Sequence, residues 1–330
     1  MTVRHRLHAF FLAVATAFAV PSGASAQAAG GDAKVVRLVV GYAAGGAADA
    51  VARAYAEQLQ AAGFANVIVE NRPGASGRVG FDAVKRAPAD GLTLYLGSSP
   101  MFVIFPLTYR KLGYDPDKDL RPVAVVVDVP TAAVAGANQP YRDMPGYVQW
   151  AGQAQGKATL GLATLGSPGQ LGTIEMAKQN GLQVEPVVYR GAAPMLVDVV
   201  SGEVSMGWDA VASMMPLYAG GKLKFLGVAG SHRLPMLPDV PTLLEQGYPQ
   251  YQHASSWYGI YAPAGTPDAA VNALEQAFLA AGKNPALVAK LQASGFLVEP
   301  RPAAEAKRRM ETERAHWAPV VKAAGIVLDE

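Results

Sequence analysis

Val36-Arg37-Leu38-Val39-Val40-Gly41-Tyr42-Ala43-Ala44-Gly45-Gly46-Ala47 is the stretch that decides the fold. It opens on a short run that, Arg37 apart, is wholly aliphatic, the composition of a buried strand. Small residues follow, and then a helical period begins. Val51, Tyr55, Leu59 and Ala62 share one face of a helix expected over Ala47–Ala62, with Gly63 as its stop. The same order recurs where Leu92–Leu96 runs into Gly97-Ser98-Ser99-Pro100. It recurs again where Thr159–Ala163 runs into Thr164-Leu165-Gly166-Ser167-Pro168-Gly169. A turn of Gly, Ala and Ser at a helix start leaves backbone N–H groups bare and aimed outward, which is a way to hold an anion.

Working outward, Val67–Glu70 reads as another strand. The turn Asn71-Arg72-Pro73-Gly74 then leads into a helix that ends before Asp90-Gly91. Arg121–Val129 and Thr131–Ala135 are extended, apolar and broken at Pro130, the expected exit from a first lobe. A further series follows: strand Thr159–Ala163, helix Pro168–Asn180, strand Val187–Tyr189, helix Pro194–Ser201, strand Val204–Trp208, helix Ala212–Ala219 and strand Lys224–Ala229. After the Pro-rich bend Leu234–Pro241, Ser256–Tyr261 is extended and Thr266-Pro267 caps a new helix. The last helix is expected to end near Gly325.

Alternating strands and helices with short turns imply an α/β protein with two lobes, each a mixed or parallel sheet flanked by helices. The C-terminal helices need a sheet to cover, and the first lobe has fewer helices of its own. The chain is therefore expected to return, giving lobe one at 33–132 plus 256–330, lobe two at 133–255, and a ligand cleft between them.

Composition narrows the function. Arg4, Arg6, His5 and His8 precede the apolar run Ala9–Val20, and Ala24-Ser25-Ala26 precedes Gln27: residues 1–26 read as a signal peptide cleaved after Ala26, so a periplasmic protein is expected. Removing Arg4 and Arg6 leaves equal numbers of basic and acidic residues, and no basic run interleaves with aromatics, so no nucleic-acid partner is expected. The absence of cysteine excludes disulfides, thiol catalysis and thiolate metal sites. Only His232, His253 and His316 remain in the mature chain, none in a His-Glu-x-x-His pair. No Gly-x-Ser-x-Gly elbow, Gly-x-Gly-x-x-Gly turn or phosphate loop is present. No cofactor, metal site or catalytic residue is expected.

Several segments arrive together in a recognisable order. They are Val40–Asp49, Val69-Glu70-Asn71-Arg72-Pro73-Gly74-Ala75-Ser76-Gly77, Asp90-Gly91-Leu92-Thr93-Leu94 and Tyr189-Arg190-Gly191-Ala192-Ala193-Pro194. Asp239-Val240-Pro241-Thr242, Ser256-Trp257-Tyr258-Gly259 and Ala262-Pro263-Ala264-Gly265-Thr266-Pro267 follow. Through essentially the whole mature chain it resembles the Bug-type extracytoplasmic solute receptors of the tripartite tricarboxylate transporter (TctC-like) family. The resemblance implies a two-lobed periplasmic-binding-protein fold that closes on a small carboxylate, held largely by backbone N–H groups of the turns Tyr42–Ala47 and Thr164–Gly169. It also implies that Ser98, Ser99 and Asp209 line the cleft. The first turn departs from the family's usual Pro-Gly-Gly at Ala44-Gly45-Gly46, and Ala48 stands where Thr or Ser is common. Ser167-Pro168 and Gln170 stand where Thr-Pro and a His are usual.

The candidate ligand-binding residues are thus Tyr42, Ala44, Gly45, Gly46, Ala47, Asp49, Ser98, Ser99, Thr164, Ser167, Gly169 and Asp209. Ordinary roles compete with several of them. Asp49 complements a helix dipole whatever the function, Ser167 with Gln170 fits a capping box, and Ser98 and Ser99 suit a helix start. Asp209, an acid at the end of an apolar strand, needs donors and could serve a hydroxyl or ammonium on the ligand. Tyr42, Met101, Phe102 and Trp208 are ordinarily packing residues, but facing the cleft they would favour an aromatic or long apolar acid. Arg72 and Arg190 read as turn braces and Arg78 has no assigned role.

The function expected is an exported, monomeric receptor that hands a small carboxylate to a membrane permease. The rivals are a periplasmic enzyme using Asp209 or His232 for proton transfer, and a receptor presenting its ligand to a sensor kinase. Mass spectrometry of the exported protein should find Gln27 at the N-terminus; retention of residues 1–26 would refute the export reading.

Overall fold

The computed structural model describes residues 35–153, 158–163, 166–189 and 191–328. The signal segment 1–26, Thr164 and Arg190 lie outside the described residues. The chain begins with β1 (Val35–Val40), α1 (Ala47–Ala61), β2 (Asn66–Asn71), α2 (Arg78–Lys85) and β3 (Thr93–Ser98), then two short helices, α3 (Ser99–Val103) and α4 (Phe105–Thr108). β4 (Leu120–Val129) and β5 (Thr131–Gly136) meet at Pro130. Next come α5 (Met144–Gln153), β6 (Thr159–Leu162), α6 (Pro168–Gln179), β7 (Glu185–Val188) and α7 (Ala192–Ser201). β8 (Met206–Ala210), α8 (Val211–Ala219) and β9 (Leu223–Val228) follow them, and β10 (Ser256–Pro263), α9 (Asp268–Ala281), α10 (Pro285–Ala293), β11 (Arg301–Pro302) and α11 (Ala303–Ala324) complete the chain.

Two sheets result. The first has the order β11-β4-β10-β3-β1-β2 and the second β7-β6-β8-β5-β9. Pairing is parallel where strand, turn and helix repeat, at β1/β2, β1/β3, β6/β7 and β6/β8. It is antiparallel wherever β4, β5 and β10, the strands adjoining the links between sheets, take part. Each sheet is therefore mixed. β10 inserts between β3 and β4, so the chain comes back to the first sheet after building the second. Thr131 already pairs with Ala210 and Ala132 with Asp209, so the second sheet starts immediately after Pro130, two residues ahead of the 133 expected for lobe two. Proline explains the position: it has no N–H to continue a ladder.

Strand alternation divides the core. Val36, Leu38 and Val40 turn toward α1, α9 and α10, while Val39 faces the opposite side with Phe81, Tyr95 and Phe102. That second core is continuous with α11 and with the α5/α6 face of the second sheet, through Trp317, Leu171, Trp208 and Tyr251. α7 and α8 cover the remaining face. Met101 and Phe102 are fully buried core residues, with Phe102 stacked on Tyr261 at 3.9 Å. α11 packs on both β4 and α6, so one helix contacts elements of both sheets. It is fastened to β10 by the Trp257 indole N–H, which donates to both carboxylate oxygens of Glu313 at 3.0 and 3.2 Å, and to β4 by Arg309 and Asp128 at 2.6 Å. Burial pushes the Glu313 carboxyl up to about 7, the nearby Arg309 guanidinium and the indole N–H opposing the rise.

Helix ends follow their sequence signals. Gly63 takes φ +69° after α1, and Phe64 N–H donates to Leu59 O at 3.1 Å. Ser167 caps α6 by accepting from Gln170 N–H at 3.3 Å. The Gln170 side chain reaches one residue further back than a capping box requires and accepts from Gly166 N–H at 2.7 Å. Gly169 is buried, and a Cβ there would overlap the Trp208 indole. Gly169→Ala should therefore destabilise the protein by about 2–3 kcal/mol through overpacking. Denaturant unfolding measures this, and an unchanged midpoint would contradict the packing described.

Candidate ligand-binding cleft

A cavity of about 270 Å³ opens at the carboxyl ends of the parallel strands and takes its lining from both sheets. Its floor is the pair of chain crossings: Val129 and Thr131 flank Pro130, and Ala254 and Ser256 flank the return. The first sheet contributes Tyr42 from the turn after β1, Ser98 and Pro100 from the end of β3, Phe105, and Tyr258 from β10. Ser76 comes from the turn ahead of α2. Opposite them stand Ala163, Gly166, Ser167 and Pro168 before α6, and Trp208, Asp209 and Ala210 at the end of β8. Ligand sites at such strand ends are a general feature of open α/β sheets.

Four of the expected residues, Tyr42, Ser98, Ser167 and Asp209, converge on this cavity. Tyr42 and Ser98 hydroxyls hydrogen-bond at 2.7 Å, joining the turns after β1 and β3. Trp208 stacks on Tyr251 at 5.2 Å and lines the cavity.

Other expected residues occupy different places. Ala44, Gly45, Gly46 and Ala47 are exposed and are not among the lining residues. The Gly45 N–H is already taken, donating to Asp49 Oδ2 at 2.9 Å. Asp49, 3% exposed, also accepts from Arg53 Nε at 2.9 Å and from the Asn71 amide at 3.0 Å. The Arg53 guanidinium, helped by Gly45 N–H and Asn71 and opposed by burial, holds the Asp49 carboxyl down at about 2. Both its oxygens are engaged, so Asp49 braces the turn in this state. Ser99 is buried, its hydroxyl paired with that of Ser256 at 3.1 Å and accepting from Trp257 N–H at 3.3 Å. Gly169 lies beneath Trp208. The N–H groups of Ala47 and Ala48, and those of Ser167 and Gly169, have no acceptor among the described residues.

Some lining residues escaped the sequence reading. Thr131 and Ser256 are lining because they flank the crossings, a signal available at Pro130. Ser76 and Tyr258 stood inside quoted motifs without a role, and Phe105 carried no signal. Arg78 lies over the Tyr109 ring at 4.7 Å and donates to Ala75 O, and Arg72 pairs with Glu70 at 2.7 Å. His232 lines a different cavity, with Arg233, His253 and Arg301, so the two alternative proton-transfer groups, Asp209 and His232, belong to separate cavities.

Among the described lining residues Asp209 is the one charged side chain. β8 runs to Ala210, so Asp209 sits within the strand's end rather than after it. Oδ1 accepts from Ala210 N–H at 2.6 Å. Desolvation, only partly offset by that bond, pushes its carboxyl up to about 6. A raised carboxylate pKa makes the folded state the stronger proton binder between about 4 and about 6, so Asp209 withdraws stability as pH rises through that window. Relative to wild type, Asp209→Asn should gain up to about 3 kcal/mol between pH 4 and pH 7. Urea unfolding at the two pH values tests this, and a pH-independent difference would refute the desolvated carboxyl.

The chain belongs to the family of tripartite tricarboxylate transporter receptors, whose pattern it matches over residues 51–326. Protein BugT of Bordetella pertussis (strain Tohama I) is 29% identical over 310 residues, covering 90% of this chain and 91% of that protein. Among solved structures, the Rpa4515 protein of R. palustris with adipate is 32% identical with a TM-score of 0.79, covering 89% of this chain and 98% of that one. MatC from Rhodopseudomonas palustris with bound malate is 29% identical with a TM-score of 0.74, covering 87% and 98%. Family and fold are those of solute-binding receptors. Among the described residues no helix is long and apolar enough to cross a membrane.

Proposed function

We propose that this receptor is exported to the periplasm, captures a small carboxylate between its two lobes and delivers it to a membrane permease. The lobes are residues 33–132 with 256–330, and 133–255, save that Thr131 and Ala132 already pair within the second sheet, and they hinge at the crossings beside Pro130 and Ser256. The observation that carries the reading is one cavity bounded by Tyr42 and Ser98 on one side and by Gly166, Ser167 and Asp209 on the other. With no cationic side chain among its described lining residues, this cleft must meet an anion with amides and hydroxyls. The N–H groups at the starts of α1 and α6, which have no acceptor among the described residues, support this reading.

In this reading the rim turn Ala44–Ala47 reaches the carboxylate as the lobes shut, and Thr164 and Gly169 belong to the facing turn. Asp49 acts one step back by fixing that rim, and Ser99 by fixing Ser256. Asp209 takes a hydroxyl or ammonium on the ligand, a donor being what its part-desolvated carboxyl lacks. The adipate and malate held by the two R. palustris proteins support a small organic acid as the class. Tyr42, Phe105, Trp208 and Tyr258 around the cavity favour an acid with a flat or apolar body. Closure is selection of the shut state, in which both turns touch the ligand together.

A thermal-shift screen of adipate, malate, benzoate and 4-hydroxybenzoate should find at least one stabilising acid. At a hundredfold excess over Kd the gain is about 2.7 kcal/mol. NMR of the recovered acid should show it unchanged. Consumption of the acid would replace the receptor with an enzyme, and no stabilisation by any of the four would refute the carboxylate reading.

A further inference from the structure

The cavity's polar groups divide into those already engaged and those left over. Tyr42 is tied to Ser98 at 2.7 Å, Thr131 donates to Ala254 O at 2.9 Å, and Ser256 is tied to Ser99 at 3.1 Å. Ser167 caps α6 and Asp209 accepts from Ala210. Ser76 and Tyr258 enter no side-chain hydrogen bond among the described residues, although both line the cavity.

The backbone at Ser76 adds an independent observation. Gly74, Ala75, Ser76 and Gly77 have φ of +137°, +45°, +55° and +97°, and Ala75 and Ser76 are the non-glycine residues with positive φ among those described. Left-handed backbone is costly for a residue with a Cβ and free for glycine. The turn has no room to relax. Gly77 N–H donates to Gly74 O at 3.0 Å, Tyr95 donates to Gly77 O at 3.1 Å, and Arg78 Nε donates to Ala75 O at 3.1 Å. A Cβ on Gly77 would meet Met101 Sδ at 2.8 Å, and one on Gly41 would meet Gly77 Cα at 2.7 Å. Glycine at 76 would give the same turn without strain, so the fold itself has no need of a serine there. The cavity does supply a use for one.

Tyr258 completes the pair from β10, on the same side of the cavity. It sits in register with Ser98 on β3 and Val127 on β4. Burial, with Tyr42 and Asp209 nearby, raises its phenol's pKa, so it remains an O–H donor at any working pH.

We infer that the Ser76 and Tyr258 hydroxyls are specificity-determining contacts, donating to the polar end of the acid that the cleft encloses. The inference rests on the receptor reading above and extends it to two residues that neither the family pattern nor the neighbours assign. Leaving such a hydroxyl unmatched removes one hydrogen bond from the complex and nothing from the free fold.

The test uses the mature full chain and titration calorimetry with adipate, malate, benzoate and 4-hydroxybenzoate. Ser76→Gly should melt about 1–2 °C higher than wild type, because the strain is relieved, yet bind the best of the four acids about 3- to 10-fold more weakly. Ser76→Ala keeps the strain, so it should weaken binding equally without the gain in melting temperature. Tyr258→Phe keeps the ring and should weaken binding about 3- to 10-fold. Variants that bind within about twofold of wild type would overturn this inference and leave the receptor reading standing. Failure of wild type to bind any of the four acids would overturn both.

Discussion

Everything in this molecule depends on the chain crossing twice between sheets with extended backbone. The β4 ladder ends at Val129, Pro130 offers no N–H to extend it, and the next residues pair in the other sheet. Near Ser256 the chain returns and lays β10 down the middle of the first sheet. The residues on either side of both crossings are the floor of the cavity. In the proposed reading the hinge and the binding site are built from the same residues, so a ligand on that floor would bear directly on the segments that bend.

The walls are made by a different rule. Each is a set of turns at the carboxyl ends of parallel strands, where, in the proposed reading, backbone N–H groups meet the ligand and no cation is needed. Anchoring is delegated to residues outside the cavity. Asp49 ties Gly45 to Asn71 and Arg53, and Ser99 ties α3 to β10. Glu313 holds the Trp257 indole against α11. Uncharged amides in a low-dielectric hollow can hold one anionic group without the desolvation cost of a buried arginine.

Much of this was legible in the sequence because the signals are local. Short continuous apolar runs located the strands, helical periodicity located α1, and Gly63 and Ser167 marked helix ends. The return of β10 followed from a count of helices needing a sheet. What escaped depends on contacts far apart in the chain or on exact backbone angles. Gly45 looked like an open amide, but a carboxylate four residues on occupies it. Gly169 was read for its amide, and the space its missing Cβ leaves for the Trp208 ring was not foreseen. Met101 and Phe102 sit beside a cleft residue in sequence and face the core, whereas Tyr42 and Trp208 face the cavity. No pattern of residue types revealed that Ser76 adopts a left-handed conformation, since serine rarely does.

The central claim is that amides from both lobes grip one carboxylate above the crossing floor. A crystal structure of the mature chain grown with the most stabilising acid measures this directly. The account predicts a carboxylate within hydrogen-bonding distance of N–H groups at the start of α1 and at the start of α6 together, with Asp209 facing the ligand's donor. An acid bound on one lobe alone, or in the separate cavity beside His232, would contradict it.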